Sequence, residues 1–210
     1  PTPEDARKNL SAAVKLLNEA GYQAKGGVLV DAKGQPLSIE ILLDNPIWDR
    51  IVQPYKGTLE KLGLKVTIRQ VDSSQYQRRT DTFDFDMIVG SYPQSESPGN
   101  EQRDFFGSKA ADTHGSRNVS GIKNAVVDAI IEKIVFAKDR ADLVAATKAL
   151  DRVLLWNYYV VPQWHLPAER VATWDQFGRP QKLPSRGADI LRTWWFDADK
   201  AKSLAQARGK

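Results

Sequence analysis

The sequence predicts an α/β lobe built on a mainly parallel, doubly wound sheet with helices on both faces. Three observations carry that expectation. Leu37, Ile39, Ile41 and Leu43 alternate with period two, as do Leu64, Val66 and Ile68, and a third apolar run spans Phe83 to Val89. Between these runs lie helical patterns, so strand, helix, strand, helix and strand follow one another. Such an order needs right-handed crossovers and therefore parallel strands.

Taken in order, Thr2 is placed to cap a first helix, with Pro3, Glu4 and Asp5 in its first turn and Asp5 completing a capping box. Leu10, Ala13, Val14 and Leu17 recur at helical spacing, and Gly21 supplies the stop. Residues 22–36 are glycine-rich and read as a small hairpin, with Val28 to Val30 as a strand and AKGQ as its turn. After Pro46, one face of a helix collects Trp48, Ile51, Val52, Tyr55, Leu59 and Leu62, with Pro54 bending it and Gly63 ending it. Asp72 or Ser73 caps a short helix through Tyr76 and Arg79. Further on, Ile122, Val126, Val127, Ile130, Ile131, Ile134 and Val135 mark one broad apolar stripe and Leu143, Leu150, Val153 and Leu154 another, giving two helices that meet near Asp139 and Arg140 and pack on the sheet or each other. Tyr158 to Trp164 reads as a strand that Pro162 confines to an edge or an end. Beyond Pro167 turn residues scatter, including Pro184 and Gly187, until Trp194, Trp195 and Phe196 form an apolar cluster that needs cover.

Composition excludes several function classes. The chain has 210 residues, 41% of them hydrophobic, enough for one sizeable core that buries about 70% of the unfolded chain's surface. No apolar run approaches the roughly 20 residues of a membrane span, and Pro1 opens no charged-then-apolar leader. Without cysteine there is no disulfide, no thiol catalysis and no cysteine-based zinc site, a composition that an oxidising compartment permits. The net charge of +4 is concentrated after Gln176, where Arg179, Lys182, Arg186, Arg192, Lys200, Lys202, Arg208 and Lys210 face only Asp189, Asp197 and Asp199. No nucleic-acid motif accompanies these cations, so they read as a solvated tail or one that docks on a partner lobe.

No catalytic constellation stands out. The histidines are His114 and His165, and the Gly90-Ser91 pair lacks the second glycine of a nucleophile elbow. A site assembled across a Rossmann-like sheet, in a hydrolase or transferase, is the alternative class. Asp81, Asp84 and Asp86 invite a metal reading, but no glycine-centred calcium loop surrounds them, so no metal and no cofactor are expected. Asn118-Val119-Ser120 matches a glycosylation sequon.

The stretch Tyr92 to Ser108, YPQSESPGNEQRDFFGS, follows the third apolar run, at the strand exit where open α/β sheets place ligands. Its turn formers, amides, charges and aromatic pair read as a ligand-contacting loop, with an ordinary polar surface loop as the alternative. SPGNEQRDFFGS, followed by SRNVSGIKNAVVDAIIEKIV and ALDRVLLWNYYVVPQWHLP, resembles the extracellular solute-binding proteins of family 5. These are the capture components of ABC peptide importers, and the likeness is to the Yej-type branch associated with oligopeptides and the peptide antibiotic microcin C. Members of the family are more than twice this length, so the resemblance implies a C-terminal portion.

The resemblance implies a periplasmic-binding-protein-like, type II lobe over residues 1–165 and a tail, 166–210, returning towards an N-terminal lobe. It also implies a periplasmic location in a bacterium, where glycosylation of the Asn118 sequon is not expected, ABC permease subunits of the inner membrane as partners, and capture of a peptide or peptide conjugate without catalysis. A peptide presents backbone donors and acceptors, which Tyr92, Gln94, Ser95, Asn100 and Arg103 are suited to meet, while Trp48, Tyr76 and Trp164 are suited to wall its side chains. In dipeptide- and oligopeptide-binding relatives an aspartate of this loop pairs with the α-ammonium. Alignment on Pro98 puts Gln94 there, and a neutral amide forgoes a charge-assisted bond about twice as strong. Glu96 or Glu101 then takes over, or the ligand is a longer or modified peptide with an anionic group for Arg103.

Overall fold

A computed structural model describes residues 2–164, 170–182 and 190–209, which form two compact units, residues 1–160 and 161–210. His165, Arg186, Asp189, Lys210 and the turn residues Pro167, Pro184 and Gly187 named above lie outside the described residues. The first unit opens with α1 (Pro3–Glu19), closed at its N-terminus by the capping box: Thr2 Oγ1 accepts from Asp5 N–H at 3.2 Å, and Asp5 Oδ2 accepts from Thr2 N–H at 2.8 Å. A hairpin of β1 (Gln23–Lys25) and β2 (Val28–Val30) follows, and its turn is Gly26-Gly27, not AKGQ. Both glycines have φ of 58° and 81°, the left-handed geometry that a two-residue hairpin turn demands. AKGQ makes a separate turn, in which Asp31 Oδ1 accepts from Lys33 and Gln35 N–H at 2.8 Å.

The sheet is three-stranded and parallel, with β3 (Ser38–Leu43) between β4 (Lys65–Gln70) and β5 (Met87–Ile88). Between β3 and β4 run a 3₁₀ turn, Pro46–Trp48, capped by Asn45, and α2 (Asp49–Glu60), which carries Pro54 internally. Ile41, Val52, Leu64 and Val66 form the core of this layer with Leu29 and Leu43, and Tyr55, Leu59 and Leu62 pack against it. Leu42, on the opposite face of β3, is 0% exposed, so both faces of the central strand are covered, as parallel sheets require.

Asp72 caps α3 (Ser73–Asp81), its Oδ1 accepting from Gln75 N–H at 2.9 Å. The third strand is shorter than the apolar run Phe83 to Val89 predicts. Phe83 sits at φ 57°, a left-handed turn that cannot join a ladder, and Asp86 Oδ2 takes the Glu40 N–H at 2.8 Å. That contact belongs to an ionic cluster: Glu40 on β3 receives Arg69 Nε of β4 at 2.8 Å and Arg79 Nη2 of α3 at 2.8 Å, while Arg79 Nε also holds Asp84 Oδ2 at 2.8 Å. Asp84 and Asp86 are thereby used in different contacts, and among the described residues no cluster of His, Asp and Glu suits a metal ion.

A second layer holds α4 (Glu101–Phe106), a 3₁₀ turn Ser108–Asp112, α5 (Ala125–Val135) and α6 (Arg140–Trp156). The two long helices pack on each other around Val127, Ile131, Ile134, Ala146 and Leu150. Phe105 and Phe106, read from the sequence as part of a ligand-contacting loop, are 2% and 7% exposed and belong to this core. Tyr158 to Trp164 forms no strand: Tyr158 turns at φ 55°, and Tyr158, Val160, Val161 and Trp164 stay exposed.

In the second unit, β6 (Phe177–Gly178) pairs antiparallel with β7 (Trp195–Phe196), between α7 (Ile190–Thr193) and α8 (Ala198–Ala207). A Cβ at Gly178 would lie 2.3 Å from the Trp195 ring, so any larger residue there would require that ring to shift. The basic tail is partly internal to this unit, since Lys200 Nζ pairs with Asp175 Oδ1 at 2.9 Å and the Arg208 guanidinium lies 4.1 Å from the Trp174 ring centre. Among the described residues no helix is long and apolar enough to cross a membrane.

Glu40 sets an acid dependence. Burial pushes its carboxyl up, but the hydrogen bonds from Arg69 and Arg79, with their charges, outweigh this and hold it below its ordinary 4.5. A depressed carboxylate stabilises the fold above its unfolded value and loses that contribution as pH falls through the folded one. The urea midpoint of Glu40→Gln should therefore lie below wild type at neutral pH, with the gap closing as pH falls below the ordinary glutamate range; a pH-independent gap would show that the ion pairs do not carry it.

Candidate functional site

A cavity of about 250 Å³ opens beside the carboxyl end of β5. Tyr76 and Asp81 of α3 form one wall, and Ser116, Arg117 and Val119 form another, with Tyr92 and Phe105 also lining it. The placement follows from the parallel sheet, because chain leaving β5 at its carboxyl end must pass over that edge. Tyr76 Oη donates to the Val89 carbonyl at 3.4 Å. Burial pushes its hydroxyl pKa up, and the Asp44 carboxylate adds to the effect, so it remains a protonated donor.

The residues singled out from the sequence are not gathered in one place. Tyr92 and Tyr76 line the cavity; Tyr92 packs edge-on to Phe105, with ring centres 5.6 Å apart, and its hydroxyl is 3.0 Å from Ser120 Oγ. Gln94 and Ser95 lie on the exposed turn beyond it, where Gln94 Oε1 accepts from the buried Gln102 amide at 2.7 Å and Ser95 Oγ accepts from Ser97 N–H at 3.2 Å. Arg103 turns to α5, its Nε and Nη2 donating to Glu132 Oε1 and Oε2 at 2.8 and 2.7 Å while Nη1 donates to Asn100 Oδ1. The pair holds the Glu132 carboxyl below, and the Arg103 guanidinium above, its ordinary range. Trp48 packs against the first core, and Trp164, 58% exposed, lies in the second unit.

Glu101 is also engaged. Its Oε1 accepts from Gly99 N–H at 2.8 Å and the Gln102 amide at 3.1 Å; burial raises its pKa, but these bonds and its own N–H bring it below the usual value.

Sequence reasoning missed the part that Asn118 plays in holding the other wall. Asn118 is fully buried: its Nδ2 donates to the Gly107 carbonyl at 3.0 Å and the Ile122 carbonyl at 2.9 Å, and its Oδ1 accepts from Ile122 N–H at 2.9 Å. These bonds clip residues 118–122 to the end of α4 and exclude the sequon reading, which needs an accessible amide. Gly107 is obligatory in this joint, since a Cβ there would fall 2.5 Å from the Arg103 carbonyl oxygen.

The profile described as bacterial extracellular solute-binding proteins, family 5 Middle, matches residues 1–114. The chain belongs to that family. It is similar to the y4wM protein of Sinorhizobium fredii, 47% identical over 92% of this chain and 29% of that protein. It is likewise similar to the probable peptide-binding protein YejA of Agrobacterium fabrum, 47% identical over 92% of this chain and 32% of the relative. The chain therefore spans about a third of the length of these family 5 relatives. The crystal structure of the oligopeptide-binding protein AppA of Bacillus subtilis, solved with a nonapeptide, superposes with a TM-score of 0.63 at 22% identity, over 71% of this chain and 30% of that one. This likeness establishes the fold as that of the type II periplasmic-binding proteins.

Asn118→Ala should remove three hydrogen bonds and leave buried backbone groups unpaired, lowering stability by about 3 kcal/mol. Urea denaturation checks this; a loss below about 0.5 kcal/mol, the level of an ordinary surface substitution, would deny Asn118 its role in the joint.

Proposed function

We propose that this chain is a C-terminal portion of the substrate-binding component of an ABC importer, which captures peptides or peptide conjugates in the periplasm and delivers them to permease subunits of the inner membrane. The carrying observation is the cavity at the carboxyl edge of a parallel sheet, in a family 5 chain nearly half identical to a protein named as probably peptide-binding. Residues 1–165 act as one lobe, and 166–210 as a segment returning towards the N-terminal lobe. Ligand binding draws the two lobes together by hinge closure, with no bond made or broken. Within this lobe we assign ligand contact to Tyr76, Tyr92 and the exposed turn with Gln94 and Ser95. Asn100 and Arg103 brace that turn through Glu132. A peptide conjugate of the microcin C kind falls within the same ligand class. The hydrolase alternative draws no support from the family.

Native mass spectrometry of the full-length protein, purified from a bacterial periplasm, tests the proposal. The expected result is a co-purified mass that fragments as a peptide or peptide conjugate. A ligand without peptide bonds, or turnover of a small substrate, would overturn it.

A further inference from the structure

The cavity holds two opposite charges that do not neutralise each other. Asp81 closes α3, and its Oδ1 accepts from the Gln77 amide at 2.6 Å. Its backbone carbonyl accepts from Gly115 N–H at 3.1 Å, which draws the segment bearing Arg117 alongside. The Arg117 guanidinium lies 4.0 Å from the centre of the Phe105 ring. Both side chains line the same 250 Å³ space, yet among the described residues neither forms an ion pair with the other or with a third group. Arg69, Arg79 and Arg103, by contrast, are all spent on carboxylates.

Opposite charges facing one small cavity gain energy by collapsing together. Here each instead meets a neutral partner, an amide for Asp81 and an aromatic face for Arg117. Two unneutralised opposite charges lining one cavity are complementary to a dipolar ion. An ammonium is received by the carboxylate and an anionic end by the guanidinium, each through a charge-assisted bond about twice as strong as a neutral one. Tyr76 adds a hydroxyl in the same cavity.

Building on the peptide-capture proposal, we propose that Asp81 and Arg117 are the specificity residues for a zwitterionic portion of the ligand, one that carries a free amine and a free carboxylate close together. A short peptide with both ends free supplies this, and so does an amino-acid-like branch of a larger conjugate.

The test is calorimetric titration of the full-length protein with alanine peptides of two to five residues, each in free, N-acetylated and C-amidated form. For the wild type, Kd should rise at least tenfold on acetylation and on amidation. Asp81→Asn should erase the difference between free and acetylated peptides, and Arg117→Gln the difference between free and amidated ones, with melting temperatures within a few degrees of wild type. A wild type indifferent to both modifications overturns the inference without any variant, as do variants that discriminate as the wild type does, and either result leaves peptide capture standing. A wild type that binds none of these peptides, together with no peptide in the native mass spectrum, removes both proposals.

Discussion

The sheet depends on the carboxylate of Glu40. Strand β5 pairs with β3 at only two residues, too few to hold a parallel strand by its ladder alone. Glu40 compensates by drawing Arg69 from β4 and Arg79 from α3, while its own N–H is taken by Asp86 just before β5. Three strands and a helix are thus tied at one partly buried point. Exposed ion pairs contribute little singly, but a shared carboxylate with two guanidinium groups restricts several elements at once. Chain leaving β5 then emerges in one place, and the cavity forms there.

The second layer supplies the opposite wall by different means. Phe105 and Phe106 anchor α4 against α5 and α6 through buried area, and Asn118 holds the following segment by three bonds to backbone. Apolar burial provides most of the energy of such a layer, and the buried amide provides its register, because only one arrangement satisfies all of its donors and acceptors. Arg117, next to Asn118, is consequently held over Phe105 at the cavity. The feature that makes the layer stable also positions a charge at the candidate site.

Much of the architecture was legible from local chemistry. The capping box at Thr2, the cap at Asp72, the alternating strands and the apolar stripes of α5 and α6 all state preferences that tertiary packing did not overturn. The two strand misreadings share one cause. Phe83 to Val89 and Tyr158 to Trp164 have strand composition, but Phe83 and Tyr158 adopt left-handed turns and the second run has no strand beside it among the described residues. Strand propensity is a statement about neighbours, which a sequence does not contain.

The same limit governs the site. By itself the sequence determined the fold class, the family likeness and the strand exit where a ligand is to be sought, because periodicity, capping and motif order are encoded within short stretches. It also put Tyr76 and Tyr92 among the candidate contacts. Only the tertiary structure decided that Arg103 is spent on Glu132, 29 residues away, that the aromatic pair of the motif is core, and that Asp81 and Arg117 share a cavity. Whether a charge is free or neutralised depends on what folding brings within a few ångströms of it, and that distance is set by the whole packed chain.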